Sequence, residues 1–237
     1  MNSVDAVILT AYLLCLTYFL YKIVQSFNDE FIVQVNEDSI KQQLNDRNLQ
    51  DLLEIKFKFE KQYEYNALKQ VGVGISNKSS DHSIYVDWDY SSFNDLEKRS
   101  RRVTRLAPGV TLDLSNEQVF STIAPNTVLK ETITAEDTLQ RKSERKDKKL
   151  DTPSPVNLEL EVAKPLIDLK PEKPSDDLKK RLGKFTKAQI DLEFFLELAF
   201  RFAGADQTFG GDRVHVLCQF TLRKLPWQAG LPWNPKK

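Results

Sequence analysis

Two stretches near the end of the chain decide the fold: Leu192-Glu193-Phe194-Phe195-Leu196-Glu197-Leu198-Ala199-Phe200-Arg201-Phe202 and Val214-His215-Val216-Leu217-Cys218-Gln219-Phe220-Thr221-Leu222. In the first, Leu192, Phe194, Leu196, Leu198, Phe200 and Phe202 take every second position; in the second, Val214, Val216, Cys218, Phe220 and Leu222 do. A period of two sends successive side chains to opposite faces, so each stretch reads as a strand with one face in a core. Gly204 and Gly210-Gly211-Asp212 between them carry turn chemistry. Residues 185–237 are therefore expected to form a C-terminal β-hairpin that completes a β domain. The prolines of the ending Leu225-Pro226-Trp227 to Pro232-Trp233 bar regular pairing, and its tryptophans need apolar cover.

Upstream, the same period recurs. Ile55, Phe57 and Phe59 alternate with Lys56, Lys58 and Glu60; Val71, Val73 and Ile75 repeat the pattern. Ile84, Val86, Trp88 and Tyr90 share one face, and Tyr85, Asp87 and Asp89 the other. Asn77-Lys78-Ser79-Ser80-Asp81 has turn composition, so these last two strands are expected to form a hairpin. Weaker strands are expected at 101–106, 110–114, 118–124 and 128–134, separated by Pro108-Gly109 and Pro125-Asn126. The fold class expected is mainly β, an antiparallel Ig-like β-sandwich whose strands occupy 54–139. Before it, 28–53 reads as a connecting segment: a short strand at 31–35, then a helix capped by Asp38 or Ser39 and carrying Ile40, Leu44, Leu49, Leu52 and Leu53. Residues 140–184 are rich in charge and then in proline, with only 156–162 resembling a strand, so they are expected as a linker or surface excursion.

Residues 6–24, Ala-Val-Ile-Leu-Thr-Ala-Tyr-Leu-Leu-Cys-Leu-Thr-Tyr-Phe-Leu-Tyr-Lys-Ile-Val, hold one charge, Lys22. That is close to the ~20 apolar residues a membrane-crossing helix needs. Lys22 sits near one end, where its ammonium reaches the headgroups, beside Tyr18 and Tyr21. Residues 1–27 are accordingly expected to be an N-terminal transmembrane α-helix and anchor. A cleaved signal peptide calls for a basic segment first and a small-x-small site after, and neither is written here. A buried core helix usually shows a polar stripe, which 6–21 lacks.

The 237 residues suffice for one good core, and 34 Lys and Arg balance 34 Asp and Glu, so no overall charge points to nucleic acid. Cys15 lies in the apolar helix and Cys218 on a strand face, which leaves the β domain no disulfide. Two histidines, His82 in a turn and His215 on a strand face, make no metal motif. Cys218, on an apolar face, reads as a buried thiol rather than a nucleophile. Asp87 and Asp89 flank Trp88, so their carboxylates leave one strand face about 7 Å apart, the arrangement from which a glycosidase-like acid pair is built. Gly72-Val73-Gly74 lacks the third glycine and helix of a dinucleotide site and reads as a bulge or close packing.

Two basic clusters stand out. Lys98-Arg99-Ser100-Arg101-Arg102 with Arg105 lies between strands and is expected to touch anionic lipid, at ~1 kcal/mol per basic side chain near a membrane surface. Arg141-Lys142, Arg145-Lys146 and Lys148-Lys149 are diluted by Glu144 and Asp147 and read as solvated chain. Neither run carries aromatic residues that could stack on bases, so no nucleic-acid partner is expected.

The segment 71–138 resembles known sequences. Val71-Gly72-Val73-Gly74-Ile75-Ser76-Asn77-Lys78-Ser79 and Ile84-Tyr85-Val86-Asp87-Trp88-Asp89 are similar to the opening of Ig-like domains of the late-embryogenesis-abundant type 2 group, whose Asn-Pro is here Asn77-Lys78. Ser100-Arg101-Arg102-Val103-Thr104-Arg105-Leu106-Ala107-Pro108-Gly109 and Ile133-Thr134-Ala135-Glu136-Asp137 resemble an uncharacterised family of single-span cyanobacterial membrane proteins. The likeness covers under a third of the chain. It implies an Ig-like sandwich at a membrane and no catalytic residues.

The function expected is that of a non-enzymatic, membrane-anchored binding or scaffold protein, with a membrane-associated protein as partner and anionic lipid contacted by Lys98, Arg99, Arg101, Arg102 and Arg105. No cofactor is implied. Two alternatives stand beside it: a membrane-anchored hydrolase using Asp87 and Asp89, and an accessory or assembly subunit held by its transmembrane helix. Lys22 follows the apolar run, while only the terminal amine and Asp5 precede it, which favours a cytoplasmic β domain.

Overall fold

The computed structural model describes residues 3–26, 30–106, 117–141, 160–203 and 213–226. Among them lies one helix long and apolar enough to cross a membrane. It is α1 (Ser3–Ser26), and none of its 19-residue window Val4–Lys22 is buried in the protein. Its charged residues, Asp5 and Lys22, stand near the two ends, and the Thr10 and Thr17 hydroxyls donate one turn back to the Ala6 and Leu13 carbonyls.

The remainder is mainly β, as the period-two pattern predicts. In chain order come β1 (Glu30–Val35), α2 (Glu37–Asp46), β2 (Leu53–Lys58), β3 (Tyr63–Glu64), β4 (Val71–Asn77), β5 (Ser83–Asn94), β6 (Ser100–Arg105), β7 (Ser121–Ile123), β8 (Val128–Ala135), β9 (Leu139–Arg141), β10 (Leu160–Val162), α3 (Asp176–Thr186), β11 (Leu192–Ala203) and β12 (Val214–Lys224). The main sheet runs β2-β4-β8-β6-β5-β11-β12-β1-β3 with β7 added on β5, and its pairs are antiparallel. Its two ends, β2 and β3, are consecutive in the chain, so the sheet curls until residues 59–62 join its edges. The curl is filled by aromatic packing. Phe220 of β12 meets Phe57 at 4.9 Å and Phe59 at 5.5 Å edge-on, and stacks on Phe194 at 4.8 Å. Such contacts add to the burial of apolar area that drives the closure.

The C-terminal pair forms as expected, with Leu192 opposite Leu222 and Phe194 opposite Phe220. β1 covers the other edge of β12 only from Phe220 to Lys224. Beyond it α2 takes over: the Asn36 amide donates to the Gln219 carbonyl (3.0 Å), Gln43 bonds both the carbonyl and the amide of Leu217 (2.7 and 2.9 Å), and Arg47 reaches the His215 carbonyl. A strand edge left open would invite pairing with another chain. The helix begins at an Asn36 N-cap that accepts from the Ser39 amide at 3.1 Å, rather than at Asp38 or Ser39, and ends at Asp46, before Leu49 and Leu52.

Two expectations need correction. The strands at 71–77 and 83–94 are not a hairpin: β4 pairs with β2 and β8, whereas β5 pairs with β11, β6 and β7. Asn77 makes the crossing. Its side-chain Nδ2 donates to the carbonyls of His82 (2.7 Å) and Ile123 (3.0 Å), and its side-chain oxygen accepts from the Ser79 backbone amide, so the turn carries the chain between the two halves of the curl. The second concerns 140–184. Its described part is packed rather than excluded from the core: Leu166, Ile167, Leu169 and Leu178 are buried, and the Leu166 amide donates to the Leu68 carbonyl at 2.7 Å. Leu166, Ile167 and Leu169 are apolar enough to seat the run between its prolines. The expected strand at 110–114, the turn at 204–212, the second basic cluster beyond 141 and both terminal tryptophans lie outside the described residues.

Candidate functional site

Strand β5 alternates in and out as far as Val86 and then loses the alternation: Asp87 and Trp88 are both buried, Tyr90 is 53% exposed, and Ser91 and Phe93 turn inward. Its register with β11 shows why. Ala199 faces Asp87 and Glu197 faces Ser92, so residues 88–91 oppose Leu198 alone. This is an irregular bulge of four residues opposite one, and a bulge re-aims side chains. Buried Ser91 closes it, donating to the Asp87 carbonyl at 2.8 Å and accepting from the Ala199 amide at 3.0 Å.

The bulge builds one wall of a cleft of about 510 Å³ lined by Asp87, Asp89, Tyr90, Arg102, Arg201 and Arg213, among others. Asp87, almost wholly buried, accepts from Arg201 at 2.7 Å and from Arg213 at 3.2 Å. Each arginine also covers a ring: Arg213 lies 3.4 Å from the centre of Tyr90, and Arg201 5.6 Å from that of Phe120. The result is a ladder Tyr90, Arg213, Asp87, Arg201, Phe120. Asp89, two residues on, accepts from Arg102 Nε at 2.9 Å and from the Gln118 amide at 2.9 Å. Burial acts to raise the Asp89 pKa, but the hydrogen bonds from Arg102 and Gln118 together outweigh it and hold the carboxyl below its ordinary value. Next to this polar cleft, and sharing Asp87, Phe120 and Arg201 with it, lies an apolar hollow of about 310 Å³ bounded by Tyr85, Phe202 and Ala203.

The structure thus brings Asp87 and Asp89 to one cleft, each clamped by guanidinium. Sequence reading missed Arg201, Arg213, Tyr90 and Phe120 as their neighbours. One signal was available: the buried aromatics Trp88 and Phe93 stand five residues apart, an odd spacing that a regular strand cannot place on one face.

The first basic cluster divides. Arg101 is bonded to Asp137 and the Leu166 carbonyl, Arg102 to Asp89 and Glu136, and Arg105 to Ser121 and the Val119 carbonyl, with Trp88 beneath its guanidinium. Lys98 and Arg99 are exposed in the turn after β5, Arg99 held by Asp95 at 2.8 Å. Cys218 is fully buried, and burial pushes its thiol pKa up. His82 lies 2.7 Å from Asp81, whose carboxyl is held below its usual value by the Ser79 hydroxyl and then by His82; His215 lies 3.1 Å from Glu197. Among the described residues no three His, Cys, Asp or Glu side chains are grouped to hold a metal. Gly72 serves packing, since a Cβ there would stand 3.2 Å from Lys58 Cβ on β2. Comparison of the chain with protein-family models, curated proteins and solved structures found no match.

Proposed function

We propose that this is a single-pass membrane protein whose β domain binds a partner protein through the bulge cleft. The observation that carries the reading is the ladder from Tyr90 to Phe120. Two exposed aromatic rings are pre-stacked by arginines that Asp87 holds in place, beside an apolar hollow. Tyrosine and arginine are the residues most often found at the energetic centres of protein interfaces, and rings already ordered lose little entropy on docking. The cleft is polar on one side and apolar on the other, which suits a peptide segment with an apolar anchor next to an acidic group.

A hydrolytic role for Asp87 and Asp89 is less well supported. An acid pair needs one carboxyl that keeps its proton, and the bonds to Asp89 favour the ionised form. An Ig-like sandwich and kinship with single-span cyanobacterial proteins belong to the same proposal. The sandwich is supported by β6, whose first residues pair with β5 and whose last pair with β8, as a strand passing between two sheets does.

A photo-crosslinking residue placed at Phe120 in the full-length chain, in native membranes, tests the reading. A discrete protein adduct is expected from position 120, absent from Lys56 on the far strand β2 and lost with Tyr90→Ala. Equal labelling at both positions would overturn it.

A further inference from the structure

We propose that α3 lies on the membrane surface and that its lysines bind anionic lipid headgroups; this rests on α1 crossing the bilayer. The placement follows from a chain of ring contacts. Phe185 of α3 is 6.1 Å from Tyr65, and Tyr65 is 6.2 Å from Phe31, the second residue of β1. Thus α3 packs at the end of the sheet where the chain arrives from α1, with only residues 27–29 between the two elements. Three residues span at most about 10 Å. The cleft stands at the other end of β12, whose 11 residues extend roughly 35 Å.

The charge of α3 is arranged for that position. Leu178 and Phe185 are buried, and Arg181 donates to the Leu96 carbonyl at 2.8 Å, which fixes the helix against the domain. Lys179, Lys180 and Lys184, with Lys187 at the C-cap, are exposed, and none has an acidic partner among the described residues. Lys180, Lys184 and Lys187 fall at i, i+4 and i+7, one stripe of a helix. The acids Asp176 and Asp177 are confined to the first turn, where the helix dipole favours them. Leu96 belongs to the turn that carries Lys98, exposed and with no acidic partner among the described residues, so this side chain extends the same basic surface. Arg99, Arg101, Arg102 and Arg105, in contrast, are occupied by acids and carbonyls. Clustered lysines beside a bilayer attract anionic headgroups, an attraction that fades within a Debye length and so requires the close placement described above.

The test uses the full-length chain with Cys15→Ser, reconstituted into phosphatidylcholine vesicles with or without phosphatidylglycerol and a headgroup acceptor dye. The donor dye is attached at Gly183→Cys, an exposed site where a Cβ meets nothing within 4 Å, or at Thr122→Cys on β7 near the cleft. The expected result is stronger energy transfer from 183 than from 122, with an increase on adding phosphatidylglycerol that Lys180→Glu/Lys184→Glu/Lys187→Glu removes. Equal transfer from both sites, or transfer indifferent to phosphatidylglycerol and to the triple reversal, overturns the placement of α3 while the anchor stands. Release of the chain by alkaline carbonate overturns the anchor, and the proposal with it.

Discussion

The amide of Ala199 on β11 donates to the hydroxyl of Ser91 on β5, at 3.0 Å, and that hydroxyl in turn donates a hydrogen bond to the Asp87 carbonyl at 2.8 Å. One side chain thus replaces the ladder bonds that the bulge removes, in a place where Ser91 is 1% exposed. Ser91→Ala removes the hydroxyl that both buried backbone groups bond, so it should lower unfolding stability by about 1–3 kcal/mol. Urea denaturation of the full chain in detergent measures this. A change within ~0.5 kcal/mol would mean that the bulge is held by other contacts.

The same strand shows how much of this fold was legible in the sequence. Period-two alternation located β2, β4, β11 and β12, because each buries one face and leaves the other wet. It also placed Phe200 and Phe220 in the core. It said nothing about partners: β4 and β5 have the hydrophobic pattern and polar turn of a hairpin, yet Asn77 bonds His82 and Ile123 across the curl and sends them to different neighbours. The segment around Leu166 was unreadable for a different reason. Three apolar residues among prolines have no period, so only the cavity they fill reveals their role. The cleft was half legible: Asp87 and Asp89 were visible as a pair, but Arg201 and Arg213 come from more than 100 positions away and reach them through pairing that no local pattern encodes.

Phe220 touches Phe57, Phe59 and Phe194 where the curled sheet meets itself. Replacing it by Ala should cost about 3–5 kcal/mol, and Phe200→Ala a similar amount. Lys56, whose side chain is 73% exposed and paired only with Glu54, should tolerate Ala within ~0.5 kcal/mol. The three variants compared by chemical denaturation check the assignment of faces, which equal losses would contradict.

Gly183 lies inside α3, and an added Cβ would meet nothing within 4 Å. Glycine in a helix interior is about 0.8–1.0 kcal/mol less favourable than alanine, so Gly183→Ala should stabilise the domain by roughly that amount. A lower midpoint of denaturation would show that the glycine is needed for a contact on that face.

Asp89 provides a pH test. Its folded pKa is depressed below the ordinary carboxylate value because, although burial acts to raise it, the bonds from Arg102 and Gln118 together outweigh that desolvation. A depressed folded pKa contributes stability that is present above the unfolded value and is lost as pH falls through the folded one. Stability should therefore fall on acidification below the ordinary carboxylate range, and Asp89→Asn should flatten that part of the profile. Parallel profiles for the two proteins would remove Asp89 from the account.

The proposed anchor carries a prediction of orientation, drawn from where the basic residues lie. Lys22 closes the apolar part of α1, and the lysine face of α3 returns to the same side of the bilayer through the contacts of Phe185, Tyr65 and Phe31. Anionic lipid is concentrated in the cytoplasmic leaflet, and basic residues flanking a span are retained on that side. Both effects favour a β domain in the cytoplasm, or on the equivalent face of an internal membrane. The free thiol of Cys218 gives no discrimination, since burial protects it in any compartment. A reporter active only outside the cytoplasm, fused after Lys237, should stay silent, and one active only inside should work. The reverse result would put the lysine face against an outer leaflet, where the proposed attraction has much less charge to act on.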